Sequence, residues 1–163
     1  MRKTWIGLAM AAGIACLPAT PAVTAEAATG AAPKLMQGGF VRIENRWRPG
    51  QFINVEHGLT SGPAQRGWHS ADWAIDDLGD GHVRIGNRWR EGHYLHVESG
   101  RLESGPIQAG WHSAQWTVER ADGFVRLRNR WTGHYIHVEN GRLEAGAIQP
   151  GWHSAMWSLR RGG

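Results

Sequence analysis

From Val41 onward, apolar and polar residues alternate with a period of two in short runs, and the runs recur. QFINVE (51–56), HYLHVE (93–98) and HYIHVE (134–139) are rich in β-branched and aromatic residues, the composition of half-buried strands. In them Ile53/Val55, Leu95/Val97 and Ile136/Val138 face one way, toward a core. Phe52/Asn54/Glu56, Tyr94/His96/Glu98 and Tyr135/His137/Glu139 face the other way, outward. Earlier runs place Val41/Ile43, Val83/Ile85 and Val125/Leu127 inward, and later ones Trp73/Ile75, Trp116/Val118 and Trp157/Leu159. Gly and Pro punctuate the boundaries, and no long run after the N-terminal segment has helical apolar spacing. The pattern predicts an all-β chain.

The runs belong to one unit that occurs three times, with Val41, Val83 and Val125 spaced 42 residues apart. Two features are invariant: Asn-Arg-Trp (45–47, 87–89, 129–131), and Gly-Trp-His-Ser-Ala followed two residues later by Trp. The units differ in length by single residues next to glycines, as surface turns tolerate. About four short strands per unit give about twelve. Three is too few for most propellers, and a single unit cannot bury its own apolar face. The arithmetic therefore points to a β-trefoil: three four-stranded repeats of about 42 residues around a pseudo-threefold axis, at about 40–81, 82–123 and 124–163.

Composition adds a compartment. Arg2 and Lys3 precede the apolar run 5–17, which is too short to span a bilayer, and Ala25 and Ala27 end small-x-small cleavage signals. Residues 1–27 are expected to be an export signal, 28–38 a linker and 39–163 the trefoil domain. Cys16, the only cysteine, lies in the signal, so no disulfide is expected in the mature domain. GIAC (13–16) also partly matches a lipoprotein signal, leaving lipid anchoring through Cys16, or a periplasmic location, as alternatives to secretion. Without 1–27 the chain keeps 16 basic residues, fifteen of them Arg, against 13 acidic ones. These charges are interleaved, which describes a solvated surface and not a nucleic-acid footprint.

The period, strand order and terminal Trp resemble the ricin B-chain-type β-trefoil lectins over about 41–160. Their Gln-x-Trp mark is Ser-Ala-x-Trp here: Ser70–Trp73, Ser113–Trp116 and Ser154–Trp157. Trp73, Trp116 and Trp157 read as core. Trp68, Trp111 and Trp152 stand in polar turns, where a large ring is hard to bury. They are either structural or flat platforms for the C–H face of a sugar, with polar neighbours reading its hydroxyls. The resemblance implies an aromatic platform, a second-strand polar residue and a nearby amide. Residue by residue, this gives Asn54, Gln65 and Trp68; His96, Gln108 and Trp111; His137, Gln149 and Trp152. His69, His112 and His153 are candidate lining residues. Where those lectins carry an acid this chain has Asn54, His96 and His137, so the resemblance implies a sugar but not galactose in particular.

In the Asn-Arg-Trp triplet, Asn is expected to cap a turn, with Trp47, Trp89 and Trp131 over the barrel mouth and Arg stacked on them. A patch for acidic sugars or for a protein is the alternative. His93/His96 and His134/His137 have ligand-like spacing, but residues three apart on a strand face opposite ways, so no metal or other cofactor is expected. His69-Ser70, His112-Ser113 and His153-Ser154 are sequential neighbours, poorly placed for nucleophilic catalysis. Glu56, Glu98 and Glu139 recur singly, whereas glycosidases pair two carboxyls in one cleft. The expected function is a non-enzymatic, monomeric, secreted module binding glycans at up to three equivalent weak sites. The rival is a protein-binding trefoil, such as a protease inhibitor or surface interaction module. The longest aperiodic stretch, DDLGDG (76–81), is short and acidic for an inhibitory loop. A structural protein anchored at the cell surface through a lipidated Cys16 is a third reading.

Overall fold

The computed structural model describes residues 38–163. The expected signal, the Cys16 alternative and nearly all of the expected linker lie outside these residues. Twelve strands follow in chain order: β1 (Phe40–Asn45), β2 (Phe52–Asn54), β3 (Thr60–Gly62), β4 (Trp73–Asp77), β5 (Val83–Asn87), β6 (His93–Glu98), β7 (Arg101–Pro106), β8 (Trp116–Ala121), β9 (Phe124–Asn129), β10 (Tyr135–Glu139), β11 (Arg142–Gly146) and β12 (Trp157–Arg161).

Six strands close a ring of antiparallel pairs, in which β1 joins β4, β4 joins β5, β5 joins β8, β8 joins β9, β9 joins β12 and β12 returns to β1. The remaining six form hairpins β2–β3, β6–β7 and β10–β11. Each hangs from the barrel by one short pairing. A closed six-stranded barrel with hairpins of this kind is the β-trefoil arrangement. Closure leaves the barrel strands without open edges, which matters in an all-β chain with no disulfide among the described residues.

The inward positions read from the sequence form one cluster. Val41, Ile43, Ile53, Val55, Val83, Ile85, Leu95, Val97, Val125, Leu127, Ile136 and Val138 are buried, with Val118 and Leu159 partly so against them. Trp73, Trp116 and Trp157 are fully buried at its centre. A buried indole N–H must find an acceptor, and each finds a hairpin carbonyl: Ile53 O at 2.8 Å, Leu95 O at 2.9 Å and Ile136 O at 3.0 Å. The same residue thus fills the core and ties the hairpin to the barrel.

The invariant Asn-Arg pair is a clasp. The Oδ1 atoms of Asn45, Asn87 and Asn129 each accept the N–H groups of the two residues following the invariant Arg, which closes the turn locally. Their Nδ2 groups donate to carbonyls of another segment: Ser154 O, Ser70 O and Ser113 O. The next Arg repeats the link. Arg88 donates to Asp72 Oδ2 (3.1 Å), Arg130 to Gln115 Oε1 (2.6 Å) and Arg46 to Met156 Sδ (2.9 Å). Their backbone N–H groups bond the carbonyls of the same three residues. Asn and Arg are invariant because they join each turn to the Ser-Ala-x run of the preceding segment, cyclically.

Candidate functional site

Each Gly-Trp-His-Ser run lies in a loop pinned by two turns. The carbonyls of Gln65, Gln108 and Gln149 accept the N–H groups of Trp68, Trp111 and Trp152 at 3.2, 3.3 and 3.1 Å. Gly67 and Gly110 adopt φ of +87° and +89°, which the third position of a type II turn requires and which a side chain would strain. The Trp carbonyls then start 3-10 turns over His69–Ala71, His112–Ala114 and His153–Ala155. The backbone at each of these Trp residues is therefore fixed in place. The indoles are half-buried and reach solvent, while Gln65, Gln108, Gln149, His69, His112 and His153 are exposed around them.

Asn54, His96 and His137 depart from the alternation that places them outward, because all three are buried. The second strand of each hairpin carries Gly62, Gly105 or Gly146, paired with Phe52, Tyr94 or Tyr135, and the side chain two residues further on leans diagonally over that glycine. A Cβ on Gly146 would come within 2.7 Å of His137 Nε2, and one on Gly105 within 3.3 Å of His96 Cε1. Gly105 and Gly146 leave space for the imidazoles, and the imidazoles back the loop indoles. His96 meets Trp111 edge-on at 6.1 Å between centroids, and His137 meets Trp152 at 5.9 Å. In the first segment Asn54 instead bonds locally, to Phe52 O and to the N–H of Glu56. His96 and His137 thus lie against the loop indoles, whereas Asn54 does not.

Burial pushes the His137 imidazole below the ordinary histidine value of 6.5, against the opposing pull of Glu144 and Glu139. Its Nδ1 is buried without a hydrogen-bond partner. Below about pH 6.5 the unfolded chain takes up a proton there that the folded state resists, so His137 leaves stability unaffected above that pH and costs stability as pH falls further. Thermal melts from pH 7 to pH 5 should therefore show a smaller acid-induced loss in His137→Asn, which installs the residue of the first segment, than in the wild type. Parallel pH profiles would exclude this role.

Two grooves open beside the loops. One, of about 560 Å³, is lined by Trp111, His112, Ser113 and Glu98 together with Trp131 from the next segment. The other, of about 300 Å³, is lined by Trp152, His153, Ser154 and Glu139 together with Trp47. Trp131 and Trp47 thus stand beside the loop grooves; Arg48 stacks on Trp47 and Arg90 on Trp89. Glu139 is held by a 2.7 Å hydrogen bond from Ser154 Oγ, and the Glu98 carboxylate lies 3.7 Å from His96 Nε2. So an acid does stand beside each of these indoles, two residues beyond the position at which the lectin resemblance looks for it. Its invariance at the end of every Val-Glu strand was the available signal. Among the described residues no three His, Cys, Asp or Glu side chains converge as a metal site would require, and no helix is long and apolar enough to cross a membrane.

The fold matches that of several solved structures. The chain is similar to a GlcNAcα1-4Gal-releasing endo-β-galactosidase from Clostridium perfringens, with 28% identity and a TM-score of 0.68; the match covers 75% of this chain and 32% of that one. It thus spans about a third of that enzyme's length. SeviL, solved with the asialo-GM1 saccharide, matches at 22% identity and TM-score 0.64 over 76% of this chain and 97% of its own. The designed threefold-symmetric protein ThreeFoil matches at 22% identity and TM-score 0.65, over 76% and 99%. The fold is that of the ricin B-type β-trefoil lectins. No protein-family model matches the chain, and no curated protein matches it by sequence.

Proposed function

We propose that this protein is a secreted, non-catalytic glycan-binding module, built as three repeats around a pseudo-threefold axis with up to three sites at Trp68, Trp111 and Trp152. The observation that carries the reading is the state of these indoles: invariant between units, carried on a pinned backbone, and open to solvent beside exposed Gln and His side chains. An indole face complements the C–H face of a pyranose, and neighbouring polar groups take the hydroxyls. Neighbours of the same fold include a saccharide-bound lectin and a galactosidase, and this supports a glycan as partner over a protein. Open grooves leave much of a sugar hydrated, so each site is weak. Several sites on one rigid body reach clustered glycans through effective concentration.

Trp111→Ala and Trp152→Ala should each weaken binding to immobilised glycans while shifting the melting temperature little, because each ring is only half-buried. A glycan array followed by calorimetry on the strongest hit makes the measurement. Unfolding of either variant would make the ring structural; silence on every glycan beside tight capture of a protein would favour the interaction-module reading.

A further inference from the structure

Nine tryptophans lie in the described residues, and six are accounted for above: three in the core and three in the pinned loops. Trp47, Trp89 and Trp131 are the largest exposed apolar side chains, at 48%, 50% and 61%. Their Asn and Arg neighbours are engaged in the clasp, which explains those residues but not the rings. An indole left in water at the same place in every unit points to a surface kept for contact. The clasp decides where it stands, since each turn is fastened to the Ser-Ala-x run of the preceding segment. Trp131 accordingly shares a groove with Trp111 and Glu98, and Trp47 shares one with Trp152 and Glu139.

Resting on the glycan-binding reading, we propose that the sugar sites straddle the junctions between successive segments. The triplet Trp of one segment forms the second wall opposite the loop Trp of the segment before it. The sites are also unequal. Arg48 places its guanidinium 4.7 Å from the centre of the Trp47 ring, and Arg90 5.3 Å from that of Trp89. A cation on the ring covers a face on which a pyranose would stack. After Trp131 the chain has Thr132 instead, with its hydroxyl turned to Asn129 Oδ1, so this indole has no guanidinium over it. The groove it forms is also the roomier of the two. At the third junction Gly163 lies near the Gly67 backbone and accepts a hydrogen bond from Arg88.

The Trp111–Trp131 groove is thus the principal site. Two indole walls and about 560 Å³ suit an oligosaccharide of at least two rings, within the usual range of ligand pockets. The Glu98 carboxylate accepts hydroxyls and repels anionic groups, so the ligand class is neutral.

Titrating ¹⁵N-labelled protein with the asialo-GM1 saccharide, and separately with its sialylated GM1 counterpart, tests this through the indole N–H resonances. The Trp111 and Trp131 signals should move together and before those of Trp47 and Trp152. Trp131→Ala should weaken the asialo sugar about tenfold without lowering the melting temperature. Thr132→Arg should act in the same direction, and the GM1 saccharide should bind less tightly. Movement of Trp111 alone, with full affinity in Trp131→Ala, overturns the two-wall site and leaves the glycan reading standing. Earlier saturation at Trp47, or tighter binding of the GM1 saccharide, overturns the ranking or the neutral class. No movement of any indole with either sugar overturns the glycan reading as well.

Discussion

Trp116→Ala is expected to abolish the folded state at physiological temperature, or to leave it only just stable. The ring is wholly buried and its N–H is the partner of Leu95 O at 2.9 Å. Truncation removes a large apolar surface, opens a cavity between barrel and hairpin, and leaves a buried carbonyl without a donor. Trp→Ala changes of this kind cost about 3–5 kcal/mol, against a typical total of roughly 5–15 kcal/mol for a domain. Equilibrium denaturation by circular dichroism gives the number. A loss under about 1 kcal/mol would mean that the barrel closes without its central rings. The contrast with Trp111→Ala is informative, since the same substitution five residues away should spare the fold.

The second large effect is expected at Asp72. Its carboxylate is fully buried and accepts from Arg42 Nε at 2.9 Å and from Arg88 at 3.1 Å, while the Arg42 side chain is itself mostly buried. Asp72→Ala leaves two guanidinium groups facing a space with no counter-charge. Breaking a buried pair from one side costs about 3–5 kcal/mol; the lower end applies here because Arg88 keeps some contact with water. Urea denaturation should show a lowered midpoint with an unchanged slope. Asp72→Gln, which copies the residue of the next segment, should lose less, because Gln115 holds Arg130 with an amide oxygen. Equal losses in the two variants would locate the effect in the lost charge, since Gln restores the bulk and an acceptor oxygen but not the counter-charge.

Much of the fold was legible because apolar alternation reports directly on which face a strand buries. Val41, Ile53, Leu95 and Trp116 occupy the core where period two places them. The reading failed at Asn54, His96 and His137, which alternation puts in solvent. Strand periodicity gives the side of a sheet but not what folds over it, and here a hairpin and a loop cover the outward face. Gly62, Gly105 and Gly146 carried the clue, since each makes room for the Asn or His diagonally across the hairpin. The recurrence of Glu98 and Glu139 is visible in the sequence, but their approach to the Trp loops is not, because the 3-10 turns bring the loop residues to them. The cross-segment meeting of Trp131 with Trp111, 20 residues apart in sequence, has no local signal. It follows from the clasp that Asn129 and Arg130 make with Ser113 and Gln115.

The seam between β1 and β12, paired from Val41↔Arg161 to Asn45↔Trp157, has a consequence for biosynthesis. A ribosome emits β1 first and β12 last, so the nascent polypeptide cannot complete its cylinder until the residues near 161 have emerged. Throughout translation it has unzipped margins, and the two ends of the ring meet only when the final strand is available.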